Sequence, residues 1–306
     1  FPETSSPELC QILGYLIGDG CKVDRRFRGK RNVRVELTDK NVANLRTYKR
    51  LVEKLFKIKG RIKRGRRNRL VFSSPLFLDF LEKIGKGILC KSPYRRIPRL
   101  ICRVSKGELA GFLRGIYDAE GSVGHHHVVL TSTSKDIINV VQLLLLRFGI
   151  ISHVYRAKNS RSKRLRYNLA IYHPESLMAF REKINFSDAG KRRKLDGVVK
   201  KIGCSSGEKM DLIPVGWEII SEIGRKLDLR KADLRKMGIN YHHYLKGHKL
   251  SRRKLSQILE IFESEARARN KEIAEIAKLR ALVGSDLLWE PVQKICLLYT
   301  SPSPRD

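Results

Sequence analysis

Asp19 and Glu120 each close an apolar, helix-like run and are each followed by glycine, in ILGYLIGDG (Ile12–Gly20) and FLRGIYDAEGSV (Phe112–Val123). Gly14 and Gly18 are spaced i, i+4, as are Gly111 and Gly115 with Ala119 beyond. That spacing puts a flat stripe of small residues on one helix face, so two such helices can approach backbone to backbone. Gly20 and Gly121 stand where a helix C-cap glycine belongs. If the two helices pack in parallel, the acids meet at their C-terminal ends. The helix dipole is negative there, which costs roughly 0.3–1 kcal/mol per carboxylate, and the two acids repel. The cost makes sense if divalent cations fill the gap. Hard oxygen ligands, few protein groups and a phosphate partner describe Mg²⁺. Two carboxylates sharing metals beside a phosphodiester describe metal-assisted hydrolysis by in-line displacement. A pair of solvated helix-end acids is the plainer alternative; two copies at equivalent places in a chain of formal net charge +33 favour the metal.

The elements that must position these acids form a duplication. After each acid comes a basic, alternating stretch, RNVRVELTDK (Arg31–Lys40) and HHVVLTSTSK (His126–Lys135), then an amphipathic helix, NVANLRTYKRLVEKLF (Asn41–Phe56) and DIINVVQLLLLRFG (Asp136–Gly149). A second basic hairpin follows, within Gly60–Ser74 and Val154–Tyr172. Both halves then place Pro at the start of a helix, in Ser73–Gly85 and Tyr172–Asn185. Six elements recur in one order. A third region, from Ser205 to about Ser285, is patterned as helices throughout, with Ser205-Ser206-Gly207 as the natural linker. Cys296–Asp306 resembles a translated cloning tail and is left out of the fold.

With 306 residues, 64 Lys+Arg against 31 Asp+Glu and 42% hydrophobic residues, the chain has enough apolar material for real cores and a charge that calls for an anionic partner. Nucleic acid is the default. The longest apolar stretch, Ile137–Leu146, is too short to span a membrane, and no signal peptide is legible. The six Cys are scattered with no C-x-x-C pair, which speaks against zinc or a disulfide framework and suits a reducing cytoplasm. His125-His126-His127 cannot all face one ion from a strand, so they are read as polar residues of the groove.

Basic residues crowd the β-patterned hairpins. Arg25, Arg26, Arg28, Lys30, Arg31 and Arg34 load the first, and Arg61, Lys63, Arg64, Arg66, Arg67 and Arg69 the second. Arg156, Lys158, Arg161, Lys163, Arg164 and Arg166 load the matching hairpin of the other half. Such residues read base edges or hold phosphates, and the sequence does not sort one group from the other.

Taken together, these motifs resemble the single-chain LAGLIDADG homing endonucleases of the kind carried in archaeal inteins. The motif falls on Ile12–Gly20 and Leu113–Gly121, and the resemblance covers about residues 8–203. It implies an α+β fold, a duplicated αββαββα pseudo-dimer whose two four-stranded sheets form a saddle over the DNA major groove, acting as a monomer. It implies that Asp19 and Glu120 are the catalytic, metal-binding acids, with Gly18 and Ala119 beside them in the metal site. Mg²⁺ would be the cofactor, with Mn²⁺ as a substitute, and a double-stranded DNA target would be cut to leave 3′ overhangs. The position before the alanine-type residue differs between copies, Ile17 against Asp118, and varies in the family. The family's rim lysines would be Lys40, with its slot in the second half nearer Thr133, and the pair Lys91 and Lys191, with Lys194 the alternative. The expected domains are 1–104 and 105–204 for the two halves, 205–285 for a helical module, and 286–306 for a splicing-domain remnant and tail. Within the module, Leu229–Leu259 resembles a phage-repressor helix-turn-helix, with an ordinary helical bundle equally open. The rival function is a non-cleaving relative, a DNA-binding regulator or intron RNA maturase, which has no reason to keep both acids.

Overall fold

A computed structural model of the chain describes residues 1–27, 30–159, 162–202, 212–239 and 250–285, with 287 and 289; for 26, 27, 30, 31, 158, 159, 162–164 and 202 it describes the backbone alone. The chain divides into two compact units, Phe1–Gly207 and Glu208–Asp306. Ser205-Ser206-Gly207, Arg28, Arg161, the Tyr241–Lys249 stretch and the tail after Ile295 lie outside the described residues.

The first unit is α+β and duplicated. Its first half runs α1 (Pro7–Asp19), β1 (Gly20–Phe27), β2 (Lys30–Asp39), α2 (Val42–Phe56), β3 (Gly60–Lys63), β4 (Asn68–Phe72) and α3 (Pro75–Ile84). The second runs α4 (Lys106–Glu120), β5 (Gly121–Val123), β6 (Val128–Ser132), α5 (Lys135–Leu146), β7 (His153–Asn159), β8 (Ser162–Ile171) and α6 (Pro174–Lys183), followed by α7 (Ala189–Ile202). Local chemistry explains the helix starts. Ser6 and Ser74 cap helices whose first residue is proline, and Ser105 with Glu108 forms a reciprocal capping box on α4. The two sheets have the same order, β1-β2-β4-β3 and β5-β6-β8-β7, and every pairing is antiparallel.

The centre of this unit is the helix pair α1 and α4. Gly111 lies against the Pro7 carbonyl, Gly115 against that of Gln11, Gly14 against Phe112, and Gly18 against Ala119. These pairings ascend together along both helices, so the helices run parallel with their C-terminal ends side by side. A Cβ on Gly14 would stand 2.9 Å from the Ile116 amide nitrogen, and one on Gly115 2.9 Å from that of Tyr15. Only glycine admits this approach. Around the pair, Ile12, Tyr15, Leu16, Val35, Leu37, Leu70, Phe72, Phe112, Ile116, Leu130, Leu169 and Ile171 are buried in one core shared by both sheets.

Gly20 and Gly121 end the helices differently from a left-handed C-cap. Both have φ −82° and ψ 148°, extended values that let each helix run straight into a strand. They are glycine for space: a Cβ at Gly20 would lie 2.8 Å from Leu16 Cα, and one at Gly121 2.9 Å from Tyr117 Cδ1.

The second unit holds α8 (Trp217–Lys226), α9 (Lys231–Lys236), α10 (Arg252–Ala268) and α11 (Ala274–Gly284), with the short pair β9 (Leu212–Ile213) and β10 (Leu250–Ser251). Ile220, Ile223, Leu234, Leu255, Ile258, Leu259 and Phe262 form its own core. The long helical stretch after Ser251 is divided near Asn270, whose φ is 50°. Among the described residues, no helix is long and apolar enough to cross a membrane.

Candidate active-site cleft

At the paired ends of α1 and α4 opens a cleft of about 450 Å³ lined by Asp19, Thr38, Asp39, Lys40, Arg67, Ser92, Ala119, Glu120, Thr131, Ser132, Thr133 and Arg166. Both motif acids are therefore on one wall. Burial pushes the Asp19 carboxyl up to about 6, with the Asp39 charge adding to it and Arg95 opposing it. Glu120 is pushed up to about 7, first by burial and then by the charge of Asp19. Two acids, the first raising the second, thus share a partly dry cleft, with Arg95 and Lys191 opposing both shifts. Their hard oxygens fit a divalent cation, and that is the donor set such an ion needs. Among the described residues there is no cluster of three or more His, Cys, Asp or Glu that would hold a metal without further help from carbonyls, water or phosphate.

The dipole problem at the helix ends is answered by two half-buried cations. Arg95 donates through Nη1 to the carbonyls of Ile17 (2.8 Å) and Gly18, through Nη2 to that of Gly20, and through Nε to that of Cys90 (3.0 Å). Lys191 Nζ donates to the carbonyls of Tyr117 (3.2 Å) and Asp118 (2.6 Å). Burial holds both groups below their ordinary pKa, and the surrounding carboxylates oppose that shift. Arg95, rather than Lys91, is thus the counterpart of Lys191. Lys91 precedes a 3₁₀ turn, Ser92–Tyr94, is exposed and lies outside the cleft lining. Counting residues past each acid misplaces the pair because the two closing segments differ: a 3₁₀ turn before Arg95, the first turn of α7 at Lys191. Arg95 also donates to the Gly18 carbonyl, one of the oxygens expected beside the cation; Ala119 packs its Cβ on Gly18 and lines the cleft with Asp19 and Glu120.

Two further acids were not singled out from the sequence. Asp39 accepts from Tyr15 Oη (2.9 Å), Asn44 Nδ2 (2.6 Å) and the Asn41 amide (2.8 Å), which fixes the turn into α2 beside Lys40. Asp118, 1% exposed, accepts from Tyr48 Oη of the first half (2.7 Å) and from the Ser187 amide (2.8 Å). Gln11 Nε2 extends the chain by donating to Ser187 Oγ (2.7 Å). The two halves are tied through this buried network directly behind the acids.

Strand register sorts the basic residues. Arg25, Arg34, Arg61, Lys63 and Arg69 alternate with the buried Val33, Val35, Leu37 and Leu70, so they share the face turned away from the helices. Arg64 and Arg66 are exposed in the β3–β4 turn, and Arg67 and Arg166, one from each half, line the cleft. Arg156 pairs with Tyr167 and so has the parity of the core face. The side chains of Arg26, Lys30, Arg31, Lys158, Lys163 and Arg164, with Arg28 and Arg161, are outside the described set. His125, His126 and His127 sit in the β5–β6 connection, where His127 packs on the Tyr172 ring at 5.1 Å.

Comparison with known proteins agrees with this architecture. The LAGLIDADG-like domain family matches residues 6–85 and 107–185. The chain is 32% identical over 207 residues to glutamine–fructose-6-phosphate aminotransferase of Methanocaldococcus jannaschii, covering 66% of this chain and 18% of that protein. It is 29% identical over 293 residues to the replication factor C small subunit of the same organism, covering 90% of this chain and 15% of that protein. The chain thus spans less than a fifth of either relative. Among solved structures, mesophilic variants of the homing endonuclease I-DmoI superpose with a TM-score of 0.50 at 20% identity, over 62% of this chain and 97% of that chain.

Proposed function

This chain belongs to the LAGLIDADG-like domain family, and on that premise we propose that it is a site-specific endonuclease that cuts both strands of double-stranded DNA and leaves 3′ overhangs. The observation that carries the reading is the cleft itself: two acids with raised pKa at parallel helix ends, with Lys40, Arg67 and Arg166 around them. Asp19 and Glu120 hold the cation, Mg²⁺ with Mn²⁺ as a substitute. When bound, that cation supplies an activated water and offsets charge on the phosphate. Arg67 and Arg166, one from each half, grip the two backbones entering the cleft, and the exposed Lys40 ammonium steadies charge that develops on the phosphate oxygens. Arg95 and Lys191 keep the helix ends electrically tolerable for the acids. A binder that never cuts gains nothing from two destabilised carboxylates, which weighs against the regulator or maturase reading.

One chain supplies both halves, so a monomer suffices. The relatives named above carry unrelated activities while sharing this segment over a small part of their length, the distribution a mobile insertion produces; we therefore take the chain as the endonuclease region of an archaeal-type intein, working in the cytoplasm. The helical unit, with its Lys and Arg between Arg225 and Lys254, is taken as an auxiliary DNA-binding module. The test is to incubate the protein with a plasmid library and Mg²⁺ and sequence the ends. Recurrent 3′-overhang ends in one sequence context support the reading. Tight binding with no cut in any context would place the chain with the non-cleaving relatives.

A further inference from the structure

The two sheets can be compared residue by residue through their register. Leu37 pairs with Gly20 and Leu70 in the first, and Leu130 pairs with Gly121 and Leu169 in the second. Counting from these anchors on the face turned away from the helices, Arg34 corresponds to His127, Glu36 to Val129, and Arg69 to Asn168. On the outer strands Lys63, opposite Arg69, corresponds to Tyr155, opposite Asn168; Arg61 corresponds to His153. At five equivalent places the first sheet has four cations and an acid, and the second has no fixed charge.

The differences are shaped for different base edges. Glu36, 6% exposed, forms an ion pair with Arg69 Nη1 at 3.6 Å, which draws the guanidinium over this part of the strand. The guanidinium fork matches the O6 and N7 acceptors of guanine. At the same place in the second sheet, the Thr131 hydroxyl donates to Asn168 Oδ1 at 2.9 Å and sets the amide's orientation. That leaves Nδ2 to donate and the second Oδ1 lone pair to accept, the pattern that adenine N7 and N6 require. Beside it, Tyr155 is exposed and hydrogen-bonded to Tyr172, on which His127 packs. This aromatic surface offers apolar contact to a thymine methyl and little to a guanine.

We propose that Arg69 reads a G·C pair under the first sheet and that Asn168 reads an A·T pair at the mirrored position under the second sheet. The inference rests on the DNA-cutting reading above and adds to it the residues that set each half-site.

The experiment retains randomised DNA duplexes on the full chain without divalent cation and sequences the retained pool. The wild-type pool is expected to show G·C in one half-site and A·T at the mirrored position of the other. Arg69→Asn should move the first preference toward A·T and Asn168→Arg the second toward G·C, each by about tenfold in relative retention. Both substitutions are on the solvent-facing side, and unchanged thermal melting would show that they fold. An enriched site whose mirrored positions have the same composition, or one that neither folded variant alters, overturns the assignment while leaving site-specific binding intact. Should a variant not fold, the wild-type pool decides by its mirrored positions alone. A pool with no enrichment at all sinks site-specific DNA recognition, and the assignment with it.

Discussion

At the end of α1, Asp19 sits near Asp39, Lys40 and Arg95; at the end of α4, Glu120 sits near Ser132, Thr133 and Lys191. The backbones are equivalent, and Thr38 matches Thr131 and Arg67 matches Arg166, yet Asp39 and Lys40 stand where the second half has Ser132 and Thr133. What both ends keep at the helix itself is an acid, a glycine directly after it, and a half-buried cation on the last helical carbonyls. Those three follow from physics: the acids need a partner cation, the strand must leave the helix without a Cβ, and the exposed carbonyls need a donor. Other neighbours have diverged, including the buried link, where Asp118 in the second half corresponds to the apolar Ile17 in the first. The duplication therefore constrains geometry far more tightly than chemistry.

The strongest way to break the comparison is to neutralise one acid at a time. Asp19→Asn and Glu120→Gln should each lower double-strand cutting by about a thousandfold or more, because each acid contributes to the charge that holds the cation. DNA affinity should hold or rise as a negative charge leaves the cleft. Cleavage assays in Mg²⁺ with parallel binding measurements check this, and a fully active single variant would remove that acid from the metal site.

Next in size is the helix pair that brings the acids together. Gly14→Val should destabilise the first unit by about 3 kcal/mol, since the new side chain meets backbone that cannot yield. Gly107→Ala, at a position with nothing within 4 Å of an added Cβ, is the control and should leave melting nearly unchanged. Equal melting of the two variants would contradict the close approach.

Much of this was legible in the residues. The small-residue stripe, the acids and the repeated order of elements are local patterns, and the parallel helix pair follows from them. Arg95 was hidden because spacing along the chain predicts spatial equivalence only where the intervening structure is the same, and the segments before Arg95 and Lys191 are not. Gly20 and Gly121 were expected to relieve a left-handed turn; their need is steric, which depends on what packs over them. Asp39 and Asp118 stand next to flagged residues, but their roles come from Tyr15 and Tyr48, partners distant in sequence. The basic hairpins announced a polyanion, whereas the difference between Arg69 and Asn168 emerges only once register fixes which positions match.

The raised acids also predict a pH signature. Asp19 goes from an ordinary 3.8 to about 6 and Glu120 from 4.5 to about 7. Between about pH 4 and about pH 7 the folded state keeps protons that the unfolded chain has released, so stability without divalent cation should fall as pH rises through that window. A bound cation favours the deprotonated pair, so its affinity should climb over the same range. The double variant Asp19→Asn/Glu120→Gln should flatten both trends. Melting curves across pH, with and without Mg²⁺, read this directly; a cation-free stability that rises steadily from pH 4 to 7 because of these two positions would contradict their burial.

The smallest expected effect sharpens the comparison most. Lys40 closes β2 and lines the cleft, while its register equivalent is Thr133, whose hydroxyl is 2.9 Å from Ser92 Oγ. A lysine can make a charge-assisted contact to phosphate where a threonine makes a neutral one, a difference of roughly 1.5 kcal/mol, or about tenfold in rate if the contact forms as charge develops. One strand should then be cut about tenfold faster, and supercoiled plasmid should pass through a visible nicked form before becoming linear. Lys40→Ala should slow the first cut and shrink the nicked peak, because the two rates converge from above. Thr133→Lys should shrink it from the other side by speeding the second cut. These changes act in opposite directions on the overall rate and in the same direction on the intermediate, so the pair separates a chemical asymmetry from a general loss of fitness of the cleft. A nicked peak of the same height in wild type and both variants would mean that the difference between Lys40 and Thr133 has no part in catalysis.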